Sequence, residues 1–194
     1  MAEGVDFSSS RPGAAALVEA GKSFVVRYVP YGGYSKGLTE DEVAEYRAAG
    51  LDIGIVFESI VDRVLGEVRT GPDNEYGTPS GGVNPYTAGQ ADAAKSKKEL
   101  ERLGFPVGTV VYFAIDFDAN VGQRSGTSVA GHVTDYLNGA ASVLGRERVG
   151  VYAGYWVVKY AYEAGLCSWL WQTYAWSGGR VYYATNLYQY SNGE

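Results

Sequence analysis

The chain has 194 residues, 46% of them hydrophobic and 20% charged, which is typical of one globular domain with a core of useful size. Its formal net charge of −6 argues against nucleic acid as a partner, because nucleic-acid-binding domains usually present a basic face. No apolar run reaches the length of about 18 residues that a transmembrane helix needs. One His and one Cys exclude an internal disulfide and zinc sites built from several such ligands.

Strand-like and helix-like segments alternate along the chain. The predicted strands are rich in β-branched and aromatic residues and cover residues 4–8, 23–29, 52–59, 109–118, 148–156, 169–176 and 186–191. The predicted helices lie between them, at residues 12–21, 39–50, 87–103, 129–144 and 157–165. Thr39 and Glu42 form a capping-box pattern at the start of the second helix. Residues 60–86 are rich in Gly, Pro, Asn and Asp, which predicts a long loop with one helical turn at its start.

This alternation predicts an α/β fold with a parallel sheet, and so many units in a single domain, residues 1–194, favour an irregular TIM-like barrel. A doubly wound open sheet is the competing architecture. It is less favoured because SSSRPG, and no glycine-rich phosphate-binding loop, follows the first strand. Between the last two strands, SGGR at residues 177–180 suggests a hairpin turn with VYY as a short returning strand.

Acidic side chains recur at the carboxyl ends of the predicted strands, where both architectures place function. Asp6 lies near the end of the first strand, Glu58 near the end of the third, and Asp116 and Asp118 at the end of the fourth. Because side chains alternate along a strand, Asp116 and Asp118 are predicted to share the face that points into the barrel. Arg27 holds a similar position on the second strand.

Clustered carboxylates repel one another, and burial adds to this, so at least one of them is expected to have a raised pKa. A protonated carboxyl beside an ionised one is what cleavage of a glycosidic bond requires. A single Asp at a strand end is more simply explained as a terminating or capping residue. A Mg²⁺ or Ca²⁺ site built from the same oxygens is the main chemical alternative, although no calcium-loop spacing occurs. Cys167 is expected to be buried and His132 to lie on a helix surface, which disfavours a Cys–His nucleophile pair.

Five motifs spread over nearly the whole chain together resemble a known family: GVDFS, YFAIDFD, VGVYAGY, WQTYAW and LYQYSNG. They resemble the glycoside-hydrolase-like domain of unknown function found in actinobacterial secreted proteins and phage lysins. That group is similar to the glycoside hydrolase family 25 lysozymes. The resemblance implies an irregular β/α barrel that cleaves peptidoglycan sugar chains. We expect no cofactor and no metal.

The resemblance also implies roles for individual residues. Family 25 lysozymes end the fourth strand with Asp-x-Glu, whose Glu is thought to donate the proton; here Asp116 and Asp118 match that pair, so an Asp one methylene shorter stands in the Glu position. Asp6 matches the first-strand aspartate of the family. The family continues past QYSNG into a last strand, so the barrel here is expected to lack that strand or to borrow it from a partner segment. Substrate-binding positions fall on Tyr152, Trp171, Gln172, Tyr188 and Gln189.

These features lead to the expectation of a lysozyme-like peptidoglycan hydrolase, from a phage endolysin or a related actinobacterial protein. Asp118 is expected to donate the proton and Asp116 to orient and stabilise the reacting sugar. Asp6 and Glu58 would tune their pKa values, Arg27 would balance the charge and contact substrate, and residues 70–86 would border the cleft.

Two alternatives remain open. The same groove could hold wall glycan without cutting it, and a metal-dependent sugar- or phosphate-processing barrel is a weaker option. We expect a monomer that acts outside the cell or at the host cell wall. The first strand begins at Gly4, which leaves no room for a signal peptide. We therefore expect one of three situations: export through a holin, a virion or another route, action in the cytoplasm, or a trimmed chain.

Overall fold

A curled sheet of seven parallel strands runs through the protein, with its strands in the same order in the sheet as along the chain. The computed structural model describes residues 2–8, 10–29, 35–58, 61–65 and 84–191. A doubly wound sheet reverses its strand order at a switch point, whereas this order never reverses. The predicted α/β fold with a parallel sheet is therefore confirmed, as a half-barrel consistent with an incomplete TIM-like barrel.

The strands are short, three to seven residues each: β1 Gly4–Asp6, β2 Phe24–Tyr28, β3 Asp52–Glu58, β4 Val111–Ala114, β5 Val149–Ala153, β6 Trp169–Thr173 and β7 Leu187–Gln189. Helices connect most of them: α1 Ala14–Glu19, α2 Glu40–Ala48, α3 Val61–Leu65, α4 Pro85–Arg102, α5 Ala130–Leu144 and α6 Tyr155–Glu163. A short 3₁₀ turn, Arg146–Arg148, precedes β5. No helix in the described part of the chain combines the length and apolarity needed to span a membrane.

Local chemistry explains where the helices begin. The Thr39 side chain accepts a hydrogen bond from the Glu42 backbone N–H, and the Glu42 carboxylate accepts one from the Thr39 N–H, so the predicted capping box is confirmed. α4 begins at Pro85, two residues before the predicted start, because the Asn84 side chain caps the N–H groups of Tyr86 and Thr87.

The three predictions for the segments between strands have different outcomes. The helical turn after β3 is present as α3. Most of the predicted cleft border at residues 70–86 lies outside the described residues, which resume at residue 84. The predicted hairpin at residues 177–180 is wrong, because β7 pairs with β6 in parallel and residues 181–183 form no strand.

Alternation of side chains gives the sheet two apolar layers. Residues on the concave face pack inside the curled sheet: Val26, Val56, Tyr112, Ala114 and Trp171. Their sequence neighbours, such as Val25, Ile55 and Phe113, point the other way into a larger core under the helices. Strands covered on both faces read as nearly continuous apolar runs, as these do.

The α4–α5 pair packs with unusually close backbones. A Cβ atom added at Gly89 would lie 2.0 Å from the Tyr136 carbonyl oxygen, and one at Gly139 would lie 1.9 Å from the Tyr86 carbonyl oxygen. Because neither glycine has a side chain, the backbones of the two helices contact each other directly at these positions.

Candidate functional site

A cavity of about 610 Å³ opens at the carboxyl ends of the strands, where the sheet curls around it. Three carboxylates line it: Asp6 from β1, Glu58 from β3, and Asp116, two residues past the end of β4. We call this space the carboxylate cavity; its other polar or aromatic lining side chains are Ser8, Ser10, Tyr28, Phe7, Tyr152, Trp171 and Gln189. Its volume is in the range of pockets that hold small ligands.

Asp6 is held by a side-chain relay that crosses from β1 to β7. Gln189 Nε2 donates to Asp6 Oδ1 at 3.1 Å and to Oδ2 at 3.2 Å, and the Tyr152 hydroxyl donates to Gln189 Oε1 at 2.8 Å. Burial raises the pKa of Asp6, and the hydrogen bond from Gln189 opposes this rise. The relay therefore fixes both the amide orientation of Gln189 and the position of the Asp6 carboxyl.

Glu58 and Asp116 have contrasting electrostatic surroundings. Lys36 Nζ lies 3.0 Å from Glu58 Oε2, in an ion pair that is about one-third exposed on each side. Desolvation raises the pKa of Asp116, the negative charges of Glu58 and Asp6 raise it further, and Lys36 partly offsets them. A carboxyl with a raised pKa, beside a carboxylate that pairs with a lysine, is an arrangement that acid–base catalysis can use.

An aromatic wall stands beside the carboxylates. The Tyr152 and Trp171 rings lie 4.4 Å apart between centroids, and Tyr112 meets Trp171 edge-on at 6.0 Å. Desolvation, followed by the nearby negative charges, raises the pKa of Tyr28, and desolvation likewise raises that of Tyr152. Both phenols thus stay neutral at physiological pH and offer hydroxyl groups together with apolar ring faces.

Asp118 lies on a different cavity from Asp116. Its carboxylate pairs with Arg124, with Nη1 to Oδ2 at 2.9 Å and Nη2 to Oδ1 at 3.2 Å, and it lines a small cavity with Trp156 and Trp176. The predicted alternation fails here because the strand ends at Ala114 rather than at Asp118. The two aspartates therefore do not share one face, and the role of Asp118 as proton donor stays a prediction.

Arg27 lies on the opposite face of β2 from the carboxylate cavity. Its side chain is fully buried, Nη2 donates to Glu42 Oε1 of α2 at 3.0 Å, and Nη1 donates to the Phe7 carbonyl oxygen. Val26 and Tyr28 on either side of it face the cavity side of the sheet. The Arg27 guanidinium therefore pairs with Glu42 on the helix side of the sheet and does not line the carboxylate cavity, so its expected charge balance and substrate contact stay predictions.

Gln172 and Tyr188 also lie outside the lining of the carboxylate cavity. Gln172 is fully buried; its Nε2 donates to the Arg180 carbonyl oxygen at 2.7 Å and its Oε1 accepts from the Tyr182 N–H at 2.8 Å. Tyr188 lines a narrow crevice of about 60 Å³ between β1 and β7. Of the predicted substrate-binding residues, the cavity lining includes Tyr152, Trp171 and Gln189.

Sequence reasoning missed Tyr28 and Lys36. Tyr28 ends β2 on the same face as Val26, so strict alternation from the strand end would have found it. Lys36 lies in the connection to α2, where no sequence periodicity indicates its direction.

The other chemistries depend on metal-ligating or thiol groups, which can be located in the described residues. There, no group of three or more His, Cys, Asp or Glu side chains is placed to hold a metal ion. Cys167 is buried, which raises the pKa of its thiol to about 12, and His132 is exposed on α5, so the expected locations of both residues are confirmed. A neutral buried thiol is a poor nucleophile.

Comparison with known families gives a decisive match. The family model of the Rv2525c-like, glycoside hydrolase-like domain matches residues 15–194. The chain belongs to this family. The resemblance inferred from the motifs is thereby confirmed, although β1 with Asp6 precedes the matched residues of the Rv2525c-like domain.

Solved structures show the same fold as this Rv2525c-like domain. The Tat-secreted protein Rv2525c of Mycobacterium tuberculosis, in complex with L-tartrate, is 24% identical; the match covers 95% of this chain and 84% of that one, with a TM-score of 0.74. The modular autolysin LytC of Streptococcus pneumoniae is 12% identical; the match covers 98% of this chain and 42% of that one, with a TM-score of 0.61. No curated protein matches the chain.

Proposed function

We propose that this domain hydrolyses the glycan strands of bacterial peptidoglycan. The observation that carries the proposal is the carboxylate cavity, where Asp6, Glu58 and Asp116 from three strand ends meet beside the Tyr152–Trp171 wall. Membership of a glycoside hydrolase-like family supports the reaction class. A LytC structure with a synthetic peptidoglycan ligand supports the substrate class by analogy of fold.

Asp116 is the proton donor in this proposal. Its raised pKa, caused first by desolvation and then by the negative charge of Glu58, favours the protonated form that a proton donor needs. The proton passes to the glycosidic oxygen as the bond between that oxygen and the anomeric carbon breaks. Asp118, the donor implied by the family resemblance, is the competing assignment, and the two are separated by the experiment below.

Glu58 and Asp6 complete the reaction. Glu58, which pairs with Lys36, stabilises the positive charge that develops on the sugar ring. Asp6, fixed by Gln189, holds the water that adds to the anomeric carbon and accepts its proton. The apolar faces of Tyr152 and Trp171 pack against the C–H faces of the sugar, while the Tyr28 hydroxyl contacts its hydroxyl groups.

We further propose that the domain works as a monomer outside the cytoplasm, in a phage endolysin or a related actinobacterial wall protein. The Tat-secreted Rv2525c and the autolysin LytC, which share the fold, support an extracellular place of action.

One observation favours a second candidate, a wall-glycan-binding module that does not cut its ligand. Asp118 occupies the position of the family's proton donor, yet it forms a two-bond ion pair with Arg124 outside the carboxylate cavity. If no carboxyl donates a proton, the same cavity and aromatic wall still bind sugar.

Release of reducing ends from purified peptidoglycan separates these possibilities. We expect Asp116→Asn to lower the rate about 100- to 10,000-fold, the usual contribution of a general acid, while Asp118→Asn leaves it within a few-fold. Asp135→Asn, at an exposed position of α5, is the matched control and should have no effect.

Other outcomes are equally clear. If Asp118→Asn alone abolishes release, the donor is Asp118. If the unaltered protein sediments with insoluble walls but releases no reducing ends, the binding module is correct and the hydrolase proposal fails.

A further inference from the structure

The connection between β6 and β7 presents an exposed tryptophan in a strained conformation. Trp176 has φ = 55°, and among the described residues no other non-glycine residue has a positive φ. The residue is 39% exposed. This left-handed conformation is strained for a bulky residue and persists only where the surroundings enforce it.

Buried hydrogen bonds hold this connection in place. Ser177 Oγ donates to the Thr173 carbonyl oxygen at 2.5 Å and accepts from the Tyr155 N–H at 2.9 Å. Gln172 Nε2 donates to the Arg180 carbonyl oxygen, and Gln172 Oε1 accepts from the Tyr182 N–H. Two buried polar side chains, Ser177 and Gln172, thus hold the backbone on either side of Trp176.

Gly154 allows the same arrangement from the neighbouring strand end. A Cβ atom at Gly154 would lie 3.1 Å from the Ala175 carbonyl oxygen and 3.2 Å from Trp176 Cβ. Contacts of this length are tighter than packed side chains normally tolerate, so the absence of a side chain lets the Trp176 segment lie directly over the end of β5.

Trp176 lines a depression of only about 10 Å³, so a sugar ring would lie against the exposed aromatic and acidic side chains around it rather than inside it. Trp156 and Asp118 also line it, and Asp118 carries the planar ion pair with Arg124. The Arg180 guanidinium lies 5.0 Å from the centre of the Trp156 ring. Indole faces accept the C–H faces of pyranose rings, and a carboxylate beside a guanidinium can bond to neighbouring sugar hydroxyl groups.

We infer that Trp176, Trp156 and the Asp118–Arg124 pair form a second sugar subsite, which binds a β-linked N-acetylhexosamine strand beyond the carboxylate cavity. Asp118 follows Asp116 in the chain by two residues, so the subsite lies next to the strand end that supplies a carboxylate to the carboxylate cavity. The substrate class rests on the proposed function; the subsite itself rests on the geometry. Asp118 therefore serves substrate binding, which explains why it leaves the carboxylate cavity and pairs with Arg124.

Calorimetric titration with β-1,4-linked N-acetylglucosamine oligomers of two and six units tests the inference. We use an Asp116→Asn background, so that turnover does not complicate binding. The hexamer should bind more tightly than the dimer, and Trp176→Ala should weaken hexamer binding about tenfold, the effect of losing one aromatic stacking contact, while dimer binding stays unchanged. Trp169→Ala is the matched control, because Trp169 is also 39% exposed but begins β6 at the opposite end of the sheet.

The inference is overturned if Trp176→Ala and Trp169→Ala bind the hexamer equally, or if no oligomer binds. Thermal unfolding of both variants shows whether either has lost its fold, and Trp176→Phe, which keeps a ring, should recover part of the hexamer affinity. Reducing-end release by the unaltered protein is measured separately. Trp176-dependent binding without release would support the subsite and refute the hydrolase, whereas release without length-dependent binding would refute the subsite alone.

Discussion

Glu42→Gln is expected to destabilise the protein strongly, because Glu42 is the counter-ion of a fully buried arginine. Glu42 Oε1 lies 3.0 Å from Arg27 Nη2, with the Glu42 side chain only 10% exposed. The same carboxylate accepts the Thr39 N–H at 2.9 Å and pairs with Arg11. Glutamine keeps the shape but removes the negative charge, so Arg27 remains as a buried cation without its partner.

The magnitude follows from this burial. Removing one partner of a buried ion pair costs about 3–5 kcal/mol. A domain of this length loses roughly 2–4 °C of Tm per kcal/mol, so the expected fall in Tm is about 6–20 °C. The lower half of that range is more realistic, since the glutamine amide retains one oxygen that can accept from Arg27 or Thr39.

The loss should also depend on pH in a defined direction. Burial raises the pKa of Glu42, but the Thr39 N–H and the charges of Arg27 and Arg11 outweigh it, so the pKa lies below its ordinary value. A carboxyl with a lowered folded-state pKa adds stability above the unfolded-state pKa, about 4.3 for Glu, and loses it as pH falls through the folded-state value. The difference between Glu42→Gln and the unaltered protein should therefore shrink below about pH 4.3.

Thermal unfolding followed by circular dichroism at pH 7 and at pH 3 measures both effects. Glu40→Gln is the matched control on the same helix, because Glu40 pairs with Arg102 at 2.8 Å while 67% exposed. An exposed pair contributes at most about 1 kcal/mol, so Glu40→Gln should shift Tm by no more than a few degrees. Equal shifts for the two variants at pH 7 would refute the reasoning.

Three further predictions concern packing, charge and burial. Gly89→Ala should destabilise by about 1–3 kcal/mol in urea unfolding, since the new Cβ would lie 2.0 Å from the Tyr136 carbonyl oxygen, whereas Gly131→Ala, with open space around it, should stabilise α5 by up to about 1 kcal/mol. Asp116→Asn should raise Tm at pH 7, because the raised pKa means that ionised Asp116 destabilises the fold; this gain should vanish below about pH 3.9, where both states are protonated. A Tm at pH 7 equal to or below that of the unaltered protein would contradict it. Cys167 should resist iodoacetamide at pH 8 until the protein is unfolded, because its thiol is buried and has a pKa of about 12. Rapid labelling of the native protein, detected by mass spectrometry, would be inconsistent with that burial.

The fold was predictable because its strands are covered on both faces. Such strands are short apolar runs separated by helices, and each of the seven predicted runs contains one observed strand. The residues at which the strands end were less predictable. The apolar run through Ile115 is typical of a strand. The hydrogen bond from the Ile115 N–H to the Tyr152 carbonyl oxygen is the last that joins this segment to β5, and the chain then leaves the sheet.

The end of β4 at Ala114, before the two aspartates, also decides which site residues could be predicted. Asp6 and Glu58 lie inside strands, so alternation with their neighbours placed them correctly on the cavity side. Asp116 and Asp118 lie beyond β4, where alternation no longer applies and the local turn sets each direction. The contribution of Lys36 depends on how a loop folds back toward Glu58, which no periodicity encodes.

Arg27 shows how a residue on the far face of the sheet can still act on the cavity. Its guanidinium lies 4.3 Å from the centre of the Phe7 ring and donates to the Phe7 carbonyl oxygen, and Phe7 directly follows Asp6. Gln189 holds the Asp6 carboxyl from the cavity side while Arg27 holds the adjoining backbone from the helix side. The chain segment that carries Asp6 is thus fixed from both faces of the sheet. Arg27 therefore influences the cavity by holding the backbone next to Asp6, and not by an ion pair with a cavity carboxylate.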